Sequence, residues 1–262
     1  VCGDFATYNN IETNGLARFH SDGSFDSTFN IGVGFDLSYA YGYVRNIYSL
    51  GNEILINIKK YNQLTINTNY YKYKDKYFTP GLLKLDAFGN LMNMPSLNYQ
   101  TNKVIYDSNQ NTILVGNTTI ANNRGLKLND ANGNIIDNLN LRLGFNSNGN
   151  SNLSCNDAIL QPDGKILVCG LFQEYNENPA NKIIRLNQDY SIDTTFLING
   201  FNNNNVVINN LALQADGKIF VTGDLGDSYN GNPITSKLIR LNADGTLDTS
   251  FAMQVNQKKK KM

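Results

Sequence analysis

One passage of this chain is written twice, and that repetition limits the possible folds more than any composition does. Residues 158–170 read AILQPDGKILVCG and residues 182–196 read KIIRLNQDYSIDTTF. Residues 211–223 and 237–251 answer with LALQADGKIFVTG and KLIRLNADGTLDTSF. Within a copy, apolar residues fall in short runs bounded by turn residues, the pattern of strands rather than helices. Asp163-Gly164 and Asp216-Gly217 read as two-residue hairpin turns, because Gly and Asn/Asp tolerate positive φ at least cost. EYNENP and SYNGNP read as loops, since Asn, Gly and Pro punctuate regular structure. Each copy therefore predicts four short antiparallel strands. One such sheet cannot bury both of its faces, so the copies must stack on one another.

The remaining residues fit the same unit. The chain opens inside a copy: VCGDFATYNN corresponds to a second strand and loop, and GLARFHSDGSFDSTF to strands three and four. The first copy is thus expected to lack its first strand, the chain being a piece of something longer or that strand coming from elsewhere, with Ala252–Gln257 a candidate to supply it. Two weaker copies follow, IYSLGNEILINI with GLLKLDAFGNLMN and VIYDSNQNTILVGN with GLKLNDANGNIID. The basic residue of the third strand aligns Arg18, Lys84, Lys127, Arg185 and Arg240, giving a unit of about fifty residues with loops of varying length. Expected repeat limits are residues 1–46, 47–103, 104–156, 157–209 and 210–257, followed by a basic tail at 258–262.

Four antiparallel strands per unit, repeated in series, is the pattern of a propeller blade. LQPDGKILV, RLNADG and LDTSF resemble the delta-60 repeat, a family of β-propeller-forming units of bacterial surface and secreted proteins and of bacteriophages. The likeness is carried by the first, fourth and fifth copies. It implies an all-β propeller of about five four-stranded blades and an extracellular or virion setting.

Charge and cysteine usage narrow the function. The 262 residues carry a formal net charge of +0 with a pI near 6.7, so no basic field recruits nucleic acid. No apolar run approaches the roughly twenty residues of a membrane helix. Cys2 and Cys169 fill the same slot of different copies, which predicts buried free thiols rather than a disulfide. Cys155 lies in an Asn-rich stretch that reads as a loop. No C-x-x-C, EF-hand ladder or cofactor motif is present, so no metal or cofactor is expected.

Candidate chemistry is sparse. His20 is the only histidine and stands where other copies carry Asn187 and Asn242, so it reads as a turn residue. Asp26, Asp193 and Asp248 recur at one position beside Thr or Ser, which predicts structural turn acids, whereas a catalytic site uses unlike residues from different repeats. The most distinctive departure is the insertion at residues 61–78, YNQLTINTNYYKYKDKYF. Its alternation of Tyr and Lys predicts an extended hairpin with one aromatic and one basic face. Tyr70, Tyr71, Tyr73 and Tyr77, with Lys72 and Lys74, are the candidate binding residues, because Tyr buries a large area while freezing few torsions. The expected function is a non-enzymatic scaffold or adhesion module of a phage tail, fibre or bacterial surface, engaging protein partners or a surface glycan. The alternative is a carbohydrate-active propeller enzyme built on loop carboxylates around the axis.

Overall fold

The computed structural model describes residues 1–3, 5–29, 32, 35–36, 42–60, 71–74, 76–78, 82–92, 100–117, 125–130, 132–137, 144–146, 153–197, 200–201, 203 and 205–251. All regular structure among them is β. They fall into two compact units, Val1–Thr101 with Asn132–Asn134, and Asn102–Ala131 with Ile135–Met262.

In the first unit the main sheet runs Gly42–Leu50, Glu53–Lys60 and Leu82–Leu85, all antiparallel in chain order. A side sheet joins Phe35–Asp36 to the hairpin Tyr71–Tyr73 and Lys76–Phe78. The second unit repeats this plan. Its main sheets are Gln100–Tyr106 (from Asn102 on) with Thr112–Asn117 and Leu126–Asn129, then Ser154–Leu160 with Ile166–Leu171 and Ile183–Leu186, then Val207–Leu213 with Ile219–Asp224 and Leu238–Leu241.

Leu55 pairs with Lys84, Leu167 with Arg185 and Phe220 with Arg240, so these basic residues hold one structural position. The third copy departs from the expected alignment: Ile113 pairs with Leu128, which takes the arginine's slot, and Lys127 falls one residue earlier, opposite Leu114. The fourth strand is shorter than expected. It is reduced to single bridges, Phe19 to Phe25, Leu85 to Leu91, Asn129 to Ile135, Leu186 to Ile192 and Leu241 to Leu247. The chain turns away there because Asp193 Oδ1 accepts from the Thr195 amide at 3.0 Å while the Phe196 amide returns to Asp193 O. Asp-to-i+2 bonding of this kind competes with a sheet ladder.

The Asp-Gly turns also differ from expectation. Gln161 N bonds Lys165 O and Gly164 N bonds Gln161 O, leaving three residues in the loop, Pro162, Asp163 and Gly164. Only the glycine has positive φ, 81° at Gly164 and 82° at Gly217. This is a type I turn closed by a left-handed residue, the geometry of three-residue hairpins. A two-residue turn occurs in the second copy, where Leu50 pairs directly with Glu53 across Gly51-Asn52.

Period-two alternation decides the packing. Ile166, Val168, Ile184 and Leu186 enter one core with Ile113, Val115, Leu126 and Leu128 of the sheet before. Leu167, Cys169 and Ile183 enter another with Ile219, Val221, Ile239 and Leu241 of the sheet after. The sheet of residues 154–186 is therefore buried on both faces, which is why its second and third strands read as continuous apolar runs. Neighbouring first strands are also tied sideways. Asn102 Nδ2 donates to Cys155 O at 2.8 Å, Asn156 Nδ2 to Ile208 O at 2.7 Å, and Leu211 N to Asp157 Oδ2 at 2.9 Å.

Candidate binding surface

The hairpin singled out by its tyrosines is a standard part of the repeat. Tyr73 is fully buried, pairs its ring with Phe35 at 4.8 Å and donates its hydroxyl to Gly89 O at 2.6 Å. Tyr175 donates to Tyr190 O at 2.9 Å and Tyr229 to Gly245 O at 2.7 Å, each ring lying tilted against Phe145 or Phe201. In each of the three cases a side-hairpin tyrosine reaches the last turn of its own repeat. Burial pushes all three phenols above their ordinary range. Tyr73 is thus a core anchor rather than an exposed contact. Lys74 forms the tip of the hairpin, with Nζ 3.3 Å from Asn90 Oδ1. Tyr71, Lys72 and Tyr77 lie on the hairpin strands. Tyr70, the strand candidate 252–257 and the basic tail lie outside the described residues. The missed signal was Tyr-Asn in YNN, EYNENP and SYNGNP, which the insertion hides in the second copy.

The repeated acids are held inside their own turns. Asp26 Oδ1 accepts from Thr28 N and Oγ1, Asp193 Oδ1 from Thr195 N and Oγ1, and Asp248 Oδ1 from Ser250 N and Oγ. The other oxygen takes the arginine of the third strand: Arg18 Nε at 2.7 Å, Arg185 Nε at 2.6 Å and Arg240 Nε at 2.7 Å. Lys165 and Lys218 add an ammonium at 2.9 and 2.8 Å to Asp193 and Asp248. In the second copy Glu53 stands in the slot of these lysines and pairs with Lys84, so the charges are exchanged but the attraction is kept. In the third copy Leu128 stands in the arginine's slot, Ile136 N bonding Leu128 O where Asp193 N bonds Arg185 O, and Lys127 lies one residue earlier on the strand. Burial there lowers the Lys127 pKa.

These bonds hold the carboxyls ionised. The Thr28 hydroxyl, aided by Arg18, brings Asp26 down to about 2. At Asp193 burial by itself raises the pKa, but bonds from Thr195, Lys165 and Arg185 outweigh it. Lys218 and Ser250 do the same for Asp248. An unfolded aspartate titrates near about 3.9. Below that value the unfolded chain binds protons that the folded chain refuses, so the stabilisation is full above about pH 5 and falls as pH drops through the depressed folded values. Urea midpoints measured from pH 7 down to pH 2 are expected to be level to about pH 5 and then decline steeply.

His20 is exposed, with Nε2 3.8 Å from Asp26 Oδ1, and its backbone amide closes the turn on Ser24 O. All three cysteines are free. Cys155 and Cys169 are fully buried with thiol pKa values pushed up by desolvation, and Cys155 lies on a strand rather than in a loop. Among the described residues no three His, Cys, Asp or Glu side chains gather as a metal site, and no helix is long and apolar enough to cross a membrane. A cleft of about 480 Å³ opens beside the turn Gln161–Gly164, with Ser108 and Leu213 on its walls. Asp163 is the acidic residue lining it.

Residues 1–29, 161–196 and 214–251 match the model of a family described as a domain of unknown function (DUF5122) beta-propeller. The matched segments fall in the first, fourth and fifth copies. No curated protein matches. A solved structure of a Xanthomonas campestris gluconolactonase, described as important in glucose secondary metabolic pathways, is 14% identical. The similarity covers 76% of this chain and 79% of that one at a TM-score of 0.36.

Proposed function

We propose, from the premise that this all-β chain carries DUF5122 β-propeller repeats, that it is a non-enzymatic scaffold or adhesion module of an extracellular or virion-borne assembly. The observation that supports this is the fate of the repeated acids. Asp26, Asp193 and Asp248 make the same bonds to the same kinds of residue in three repeats. A carboxylate held by two hydroxyl or amide donors and a guanidinium, and kept well below the range of a general acid, stabilises a turn and has no free valence for substrate. What varies between repeats is loop length, which leaves the rims free to suit a protein partner or a surface glycan.

Fractionation of the producing culture is expected to place the chain with particles or the cell surface, and the purified chain is expected to leave glycosides and lactones intact. Turnover abolished by substituting one carboxylate, with the fold retained, would overturn the scaffold reading.

A further inference from the structure

The cleft beside Gln161–Gly164 holds a polar atom that the fold leaves unserved. Gln161 lines it and is 8% exposed, and its Oε1 is buried with no hydrogen-bond donor among the described residues. Its main chain is fully used, N bonding Lys165 O and O accepting from Gly164 N, so the turn fixes where the side chain starts. The matching residue of the next repeat is served: Gln214 Oε1 accepts from Arg240 Nη1 at 3.4 Å. Arg185 does not do the same for Gln161, because its Nη1 donates to Ala243 O at 2.6 Å. A buried acceptor without a donor costs stability that an apolar side chain of similar size would not. The terminal amide torsion is broad, so the oxygen can turn to a donor that enters the cleft.

The rest of the lining comes from unlike residues of three repeats, the opposite of the repeated aspartates. Ser108 belongs to the third repeat, Asp163 and Gln188 to the fourth and Leu213 to the fifth. Gln188 has Ala243 as its counterpart in the fifth repeat, so that part of the rim is not repeated there. The polar groups are also held in place by the fold. Gln188 Nε2 donates to Asp163 O at 2.7 Å, and Asp163 Oδ1 takes the Lys165 amide at 3.1 Å. In the turn that carries Ser108, Asp107 Oδ1 takes the Asn109 and Asn111 amides at 2.8 Å, and the Tyr190 hydroxyl of the fourth repeat donates to Asp107 Oδ2 at 3.3 Å. A site ordered beforehand loses less freedom on binding.

We propose that this cleft binds one ring of a neutral sugar, and so is the point at which the chain engages a surface glycan; the proposal rests on the scaffold reading. Adjacent ring hydroxyls donate to Gln161 Oε1 and to Asp163 Oδ2, which has no other bond among the described residues, while the Ser108 hydroxyl gives or takes a third bond. The C–H face of the ring lies on Leu160 and Leu213. A volume of about 480 Å³ is within the range of small-molecule sites. A lysine ammonium from a protein partner fits less well, because it brings donors alone and gains little from a single exposed carboxylate.

The test is an NMR titration of the isotope-labelled full chain with the methyl pyranosides of glucose, galactose, mannose and N-acetylglucosamine, and with Nα-acetyl-lysine amide. Each is taken to about 50 mM, enough to saturate a site of roughly millimolar affinity. At least one pyranoside is expected to shift the Gln161 side-chain amide and the Ser108 and Leu213 backbone amides saturably. Gln161→Leu is expected to weaken that binding roughly tenfold while the melting temperature stays level or rises, because the unserved acceptor is gone. Asp163→Asn is expected to weaken it as well, and Asp216→Asn, at the matching turn of the fifth repeat, to leave it unchanged. Shifts with the lysine amide alone, shifts with none of the probes, or a Gln161→Leu variant that melts lower yet binds as the parent does would each overturn the proposal and leave the scaffold reading standing. A pyranoside cleaved during the titration would overturn the scaffold reading instead.

Discussion

Replacing Gly170 by Ala is expected to destabilise the second unit by roughly 3 kcal/mol, at the upper end of what overpacking costs. The same change at Gly3, the matching slot of the first repeat, is expected to be nearly neutral. The difference comes from one neighbour. The first strand of the fourth repeat shifts register between Cys155 and Asp157, and that bulge swings its backbone towards the second strand. A Cβ on Gly170 would stand 2.1 Å from Ser154 O and 2.8 Å from Cys155 Cα. These are main-chain atoms on a ladder that also carries the Gly170 N to Lys182 O bond, so relief requires pulling two strands apart. Gly223 repeats the arrangement, 2.1 Å from Val207 O beside the bulge at Ile208 and Asn210. Gly3 meets only the Phe5 ring, at 3.5 Å. Urea midpoints of G170A, G223A and G3A measured together decide this. A G170A midpoint within experimental error of the parent would mean that the bulge yields easily.

The glycine shows how unevenly the sequence reveals its own structure. Its recurrence after Cys2, Cys169 and Thr222 is visible by eye, and so are the strand frame and the aligned basic residues of every copy but the third, where Leu128 and not Lys127 takes the slot. Turn geometry was less legible. Asp-Gly is compatible with two loop lengths, and the choice between them rests on whether Gln161 pairs with Lys165, a backbone fact with no side-chain signature. Among the candidate binding residues, Tyr73 misled by local alternation. The reason lies in its hydroxyl reaching Gly89 and its ring reaching Phe35, both distant in sequence. Asp193 was the opposite case: its neighbouring Thr and its recurrence marked it as structural before its partners were visible.

Asp193→Ala is expected to cost roughly 3 kcal/mol, the range found when one partner of a buried ion pair is removed. The loss is larger than deletion of one hydrogen bond because four donors on three residues are left without their acceptor. Arg185 is 7% exposed and gives up its Nε bond, Lys165 gives up its 2.9 Å contact, and the Thr195 amide and hydroxyl lose the cap that curls the chain into Phe196. That curl positions the Phe196 ring on Gly245, so part of the cost falls on the contact with the following repeat. Asp193→Asn separates the contributions. The amide oxygen still caps Thr195, but the charge facing Arg185 and Lys165 is gone, and a cost between that of Ala and zero is expected. Acid gives a second discriminator. The parent's advantage over the Ala variant depends on an ionised carboxylate, so it is full at neutral pH and shrinks as pH falls below about 4 towards the depressed folded value. A gap between parent and variant that stays constant from pH 7 to pH 2 would show that Asp193 acts by filling space and not by charge.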